Sequence, residues 1–230
     1  LPIFMVKIPA TREGIPAIAA AIGEGINVNV TLLFAVDRYL DAANAYLDGL
    51  DQLASHGGVV SNVSSVASFF VSRVDTAVDA ALGTERPELH GKAAIANARA
   101  AYGAWLDVAA STRWRGLVAR GAHPQRLLWA STSVKNPSFP HRYYVDALIG
   151  PDTVDTVPSP TLDAILGGDN GATRTIDVAG AIDDARDLLA RLDAIGIDLH
   201  AITDRLELEG VASFATAYDA ILCAIDARRT

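Results

Sequence analysis

Asn27-Val28-Asn29-Val30-Thr31-Leu32-Leu33-Phe34 alternates polar and apolar side chains over its first six positions. Successive side chains of a strand point to opposite faces, so Asn27, Asn29 and Thr31 share one face and Val28, Val30 and Leu32 the other. The apolar face suits covering helices. The polar face looks either into an interior cavity or, on pattern alone, onto solvent at an edge. The upstream run Ile3-Phe4-Met5-Val6-Lys7-Ile8 sets a lysine inside an apolar strand. Burial disfavours the charged form of an amine, and the neutral amine is the state that attacks a carbonyl. The alternative is a lysine near a strand end whose head reaches water.

Outward from these two runs, strand-like and helix-like segments alternate. Strands are predicted over residues 3–8, 27–34, 63–71, 126–133 and 153–157, the last stopped by Pro158. Helices are predicted over about 11–23, capped by Thr11, and along a stripe of Tyr39, Ala42, Ala43, Tyr46 and Leu50. Further helices are predicted over 74–82, 92–110 and 143–148. From Thr161 onward the chain reads as mostly helical, broken by 167–171 and Gly196, with 167–173 as an exposed loop. The last helix, about 209–227, has an apolar stripe of Val211, Phe214, Ala215, Tyr218, Leu222 and Ile225. Repeated strand–helix units imply parallel strands under helices, which fits a barrel or an open doubly wound sheet. No glycine-rich loop follows a strand, which weighs against a nucleotide-binding open sheet.

The chain is acidic, with a formal charge of −8, and half of its residues are hydrophobic. No basic stretch offers the concentrated positive surface that nucleic acid binding needs. One cysteine, Cys223, excludes an intrachain disulfide and a cysteine-based zinc cluster. The histidines show no ligand spacing, so no metal is expected, and a cytoplasmic location fits. No apolar run reaches the roughly 20 residues of a membrane helix. Leu1 begins directly in a strand-like run with no lead-in turn, so the sequence is expected to be truncated or to begin inside a larger protein.

The later strands carry small hydroxyls and a nearby cation: Ser68 and then Arg73, Ser131 and Ser133 and then Lys135. Hydrogen-bond donors and a fixed positive charge are what a phosphate ester needs. Arg73 and Lys135 can equally be surface charge; the carboxyl ends of strands, where barrel active sites lie, favour the site.

Val6-Lys7-Ile8-Pro9-Ala10-Thr11-Arg12-Glu13-Gly14-Ile15 resembles the Schiff-base lysine motif of the transaldolase family, on the fourth barrel strand. Gly25-Ile26-Asn27-Val28-Asn29-Val30-Thr31-Leu32-Leu33-Phe34 resembles its fifth strand. Ala67-Ser68-Phe69-Phe70-Val71-Ser72-Arg73 resembles the sixth, and Leu128-Trp129-Ala130-Ser131-Thr132 the seventh. The resemblance implies one domain over residues 1–230. It would be a partial (β/α)8 TIM barrel, strands four to eight, with additional C-terminal helices. The helical insertions and the Lys135-Asn136-Pro137 segment look like a bacterial subgroup sometimes fused to a phosphosugar isomerase; that fusion or a homodimer are the protein partners implied.

By the same resemblance, Lys7 attacks the keto carbon of a ketose phosphate such as sedoheptulose 7-phosphate. It then passes a dihydroxyacetone unit to glyceraldehyde 3-phosphate without a cofactor, in the pentose phosphate pathway. Asn29 would bind substrate hydroxyls and Thr31 a catalytic water. Ser68 and Ser131 would contact hydroxyls or phosphate, Arg73 the phosphate, and Phe70 would line the pocket or simply the core. Smaller family members carry an arginine where this chain has Ser133, and Lys135 is the substitute. The family's acid–base aspartate and glutamate lie upstream of the lysine strand and match no residue here. Loss of such a group costs ~10²- to 10⁴-fold in rate, and three missing strands would leave open barrel edges, so the chain alone is expected to be poorly soluble or weakly active. A fructose-6-phosphate aldolase-like lyase and an inactive barrel fragment are the other readings.

Overall fold

The computed structural model describes residues 4–167 and 181–228. Five strands, β1 (Val6–Pro9), β2 (Val28–Leu33), β3 (Ser65–Phe70), β4 (Arg126–Ala130) and β5 (Thr153–Asp155), form one sheet in the order β1-β2-β3-β4-β5. Every pairing is parallel. A doubly wound sheet reverses its strand order at a switch point, whereas a barrel adds strands in chain order. The unreversed order makes the fold TIM-barrel-like. The first predicted strand is shorter than expected at its start, and its residue Ile3 lies outside the described residues.

Each connection contains helix. The helices are α1 (Gly14–Gly23), α2 (Val36–Ser55), α3 (Ser72–Leu82), α4 (Ala93–Ala110), α5 (Thr112–Val118), α6 (Tyr143–Leu148), α7 (Ser159–Leu166), α8 (Ile182–Ala194) and α9 (Leu199–Asp226). Thr11 helps start α1, its hydroxyl accepting from the Gly14 amide at 3.1 Å. Only glycine fits at 14, because a Cβ there would lie 1.9 Å from the Pro9 carbonyl oxygen. The helix α5 was not foreseen; Ser111 caps it by accepting from the Trp114 amide at 3.1 Å.

The core lies between the helices and one face of the sheet. Val28, Val30, Ala67, Phe69, Leu127 and Trp129 are all buried there. Phe69 and Trp129 pack edge to face at 6.3 Å, and the Trp129 indole donates to the Leu148 carbonyl at 2.9 Å. One expectation for this face is corrected. Leu32 does not continue the outward row, because an irregularity between Val30 and Leu33 pairs Leu33, not Leu32, with Phe69. Leu32 takes a positive φ of 59° and packs instead against Gly210 of α9.

The helix α9 is longer than expected and begins ten residues earlier, where Asp198 accepts from the Ala201 amide at 2.9 Å. Its apolar stripe is not buried. Phe214, Tyr218, Leu222 and Ile225 are all exposed, because nothing among the described residues packs beyond Gly210. By length and composition α9 could cross a membrane, which corrects the reading that no apolar segment is long enough, and little of its apolar window is buried. Gly167 ends α7, and the rest of the loop predicted over 167–173 lies outside the described residues.

Candidate functional site

The register of β1 on β2 pairs Lys7 with Asn29 and Pro9 with Thr31. Paired residues of adjacent strands share a face, so the expected polar face of β2 also carries the lysine. Ser68 and Phe70 of β3 extend this face, followed by Leu128 and Ala130 of β4. The Ser68 hydroxyl donates to the Asn29 amide oxygen at 2.7 Å, which fixes the amide and leaves its NH2 group as a donor. Thr31 is fully buried, and its hydroxyl has no hydrogen-bond partner among the described residues. A buried hydroxyl without a partner is unusual, and a bound water or substrate oxygen would satisfy it. Asn27 serves structure instead, its amide oxygen accepting from the Ser64 amide at 2.7 Å.

Lys7 departs from the enclosed setting expected of it. The residue is exposed and makes no hydrogen bond or ion pair among the described residues. Among the described residues β1 pairs with β2 on one side and with no strand on the other, which leaves Lys7 uncovered there. Shielding therefore rises across the face, from exposed Lys7 through half-buried Asn29 to buried Thr31 and Ser68.

At the carboxyl end of β3, the Arg73 guanidinium lies over the Phe70 ring, 5.3 Å from its centroid. Phe70 also meets Phe34 at 5.1 Å. Arg73 is the second residue of α3, exposed beside the end of the sheet. Ser131 follows β4 in a left-handed conformation, φ 56°, and its hydroxyl lies 3.1 Å from that of Ser72. The Ser72 amide donates to the Ser131 carbonyl at 2.9 Å. Ser72 was thus missed as a member of this corner; its place one residue before Arg73 was the available signal. Lys135 is exposed in the segment between β4 and α6, with no contact to the other candidates among the described residues.

Two shielded carboxylates, one buried and one half-buried, were also underestimated. Asp75 reads as a helix-start acid, but it is buried and ties three helices together. It accepts from the Ala94 amide at 2.7 Å and the Tyr144 hydroxyl at 2.9 Å. Burial pushes Asp75 up to about 6, against the pull of those two bonds. Asp155, at the carboxyl end of β5, pairs in register with outward-facing Trp129. Burial pushes it up to about 7, opposed by hydrogen bonds to Thr132 and Thr156. Its Oδ1 has no partner among the described residues.

Comparison with known proteins gives one consistent result. A family model described as Transaldolase/Fructose-6-phosphate aldolase matches residues 2–225. A protein named Transaldolase from Saccharopolyspora erythraea is 48% identical over 223 residues, covering 96% of this chain and 60% of the relative. Proteins of the same name from Frankia alni and Thermobifida fusca are each 47% identical over 225 residues, covering 96% of this chain and 60% and 61% of themselves. The chain thus spans about 60% of the length of the curated relatives it matches.

Proposed function

Because the chain belongs to the transaldolase/fructose-6-phosphate aldolase family, we propose that it carries the Schiff-base portion of a transaldolase site. Its five strands would be strands four to eight of a (β/α)8 barrel, within one domain. The observation that carries the reading is the pairing of Lys7 with Asn29, next to the unpartnered hydroxyl of Thr31.

The Lys7 amine attacks the keto carbon of a ketose phosphate, and loss of water gives an iminium ion. The bond between the third and fourth carbons then breaks. Its electron pair passes into the iminium, which becomes an enamine, while the fourth-carbon hydroxyl gives its proton to water, from which the alkoxide of the later addition regains one, and an aldose phosphate leaves. The enamine carbon attacks the aldehyde of an acceptor such as glyceraldehyde 3-phosphate, and water returns to release the new ketose. Asn29, oriented by Ser68, holds substrate hydroxyls, and Thr31 holds the water. Arg73, with Ser131 nearby, takes the phosphate, and Phe70 supports Arg73 from below. Lys135 is a further phosphate contact only if its segment moves toward Ser131. Attack needs a free-base amine, so the reading requires shielding of Lys7 that the described residues do not supply.

The test is borohydride reduction of the full-length protein with fructose 6-phosphate, read by peptide mass spectrometry. The expected adduct is on Lys7 and is lost in Lys7→Ala. Lys92 and Lys135, the other lysines of residues 1–230, serve as internal controls; an adduct on any lysine but Lys7, or none at all, would overturn the reading. Release of free dihydroxyacetone without an acceptor would move the activity to the lyase.

A further inference from the structure

A cavity of about 260 Å³ lies between α4, α6 and α8, away from Lys7 and Arg73. Its polar lining is Lys92, Arg99, Tyr143 and Asp184, with Ile95 and Leu188 among the apolar wall residues. Arg99 is the unusual member. It is half-buried, its Nη2 donates to the Ala147 carbonyl at 3.3 Å, and its buried Nε has no acceptor among the described residues. Other shielded arginines of the chain meet a carboxylate: Arg38 meets Glu207 at 3.2 Å, and Arg142 meets Asp146 at 2.8 Å. Arg99 has no ion pair among the described residues, although Asp184 acts on it through space. The buried Nε is closed off from the cavity as well, so what Arg99 offers there is the charge of a half-buried guanidinium with no carboxylate partner among the described residues, which favours a nearby anion.

We propose that this cavity is a second anion site that takes a phosphate group. Arg99 supplies the forked donors that match phosphate oxygens. Lys92, exposed at the mouth and without an ion pair among the described residues, adds a second positive charge. Asp184 leaves the site with one net positive charge and offers an acceptor for a hydroxyl, either on monohydrogen phosphate or on a phosphate ester. The walls are fixed in advance. Tyr143 donates to the Gly91 carbonyl at 3.0 Å and stacks on Phe139 at 4.4 Å. The volume is below the roughly 300 Å³ at which pockets for larger organic ligands begin, which suits a phosphate or a three-carbon phosphate ester. The site shares no residue with the Lys7 face, so it stands or falls independently of the proposed reaction.

The experiment is calorimetric titration of inorganic phosphate, and separately of glycerol 3-phosphate, at constant ionic strength. The protein is full-length and carries Arg73→Gln, which removes the substrate phosphate contact proposed above. Saturable binding is expected. Arg99→Met should weaken it by about 10-fold or more, and Lys92→Met severalfold, since each removes a charge-assisted contact. Tighter binding of glycerol 3-phosphate identifies an ester as the occupant, and equal binding identifies free phosphate. Because Lys92 is exposed, its variant remains informative if Arg99→Met fails to fold. Absence of saturable binding, or binding that neither substitution changes, overturns the proposal.

Discussion

Lys7 and Asn29 are partners across the β1–β2 pairing, yet Lys7 is open to solvent while the Asn29 amide is held by Ser68 at 2.7 Å. The more rigid element of the candidate site is therefore the Asn29–Ser68 pair, and in the proposed reaction the lysine works against that fixed edge. Ser68→Ala removes the donor that orients the amide and leaves Asn29 free to flip. The expected cost is about 10-fold in kcat/KM, the equivalent of one modest hydrogen bond. Borohydride trapping on Lys7 should persist at saturating ketose phosphate. Unchanged kinetics in this variant would show that the amide is oriented by something else.

The bond from Tyr144 to Asp75 should matter more at high pH than at low. The Tyr144 hydroxyl donates to a buried carboxylate, and that bond favours the ionised form. Above about 6 Asp75 is ionised, and Tyr144→Phe leaves a buried charge short of a donor. The expected destabilisation is ~1–3 kcal/mol at pH 8 and clearly less at pH 5, where Asp75 is protonated. Urea unfolding at the two pH values measures it; a cost independent of pH would mean that Asp75 does not titrate in this range.

Asp155 predicts a slope of stability with pH. Its folded value of about 7 lies above the ordinary 3.8, so between those two values the folded chain holds a proton that the unfolded chain has released. The contribution is greatest below about 4 and is lost as pH rises through 7. Asp155→Asn carries no titrating carboxylate and should flatten this part of the profile. At pH 8 it should be more stable than the parent by on the order of 1–3 kcal/mol. Thermal melts from pH 4 to 8 decide this; parallel profiles for the two proteins would count against it.

Much of this architecture was legible because local signals agreed with the tertiary outcome. The alternation in β2 separates Asn29 and Thr31 from Val28 and Val30, and the structure keeps that division. It fails at Leu32, where a positive φ inserts one residue into the ladder. Pattern reading carries no information about such a bulge. The stripe on α9 was read correctly as apolar, but burial depends on a partner surface that spacing alone does not specify. The sequence left open whether Lys7 is enclosed or reaches water, because whether a strand lies at an edge is a property of the sheet, not of residues 3–8. Asp75 was misjudged because its partners, Ala94 and Tyr144, are 19 and 69 residues away.

The bulge at Leu32 and the close approach of Gly210 form one contact, and it can be tested as one. A Cβ on Gly210 would lie 2.8 Å from the Leu32 Cδ2 and 3.1 Å from its Cδ1. Gly210 is buried within α9, where alanine would otherwise favour the helix. Gly210→Ala therefore sets a helix gain of up to about 1 kcal/mol against overpacking of ~1–3 kcal/mol. The net effect is expected to be destabilising. Leu32→Ala opens the space, so Gly210→Ala should become stabilising in that background, with a favourable coupling of ~1–3 kcal/mol in the double-mutant cycle. Additive effects of the two substitutions in urea unfolding would mean that α9 does not rest on the end of β2 in solution.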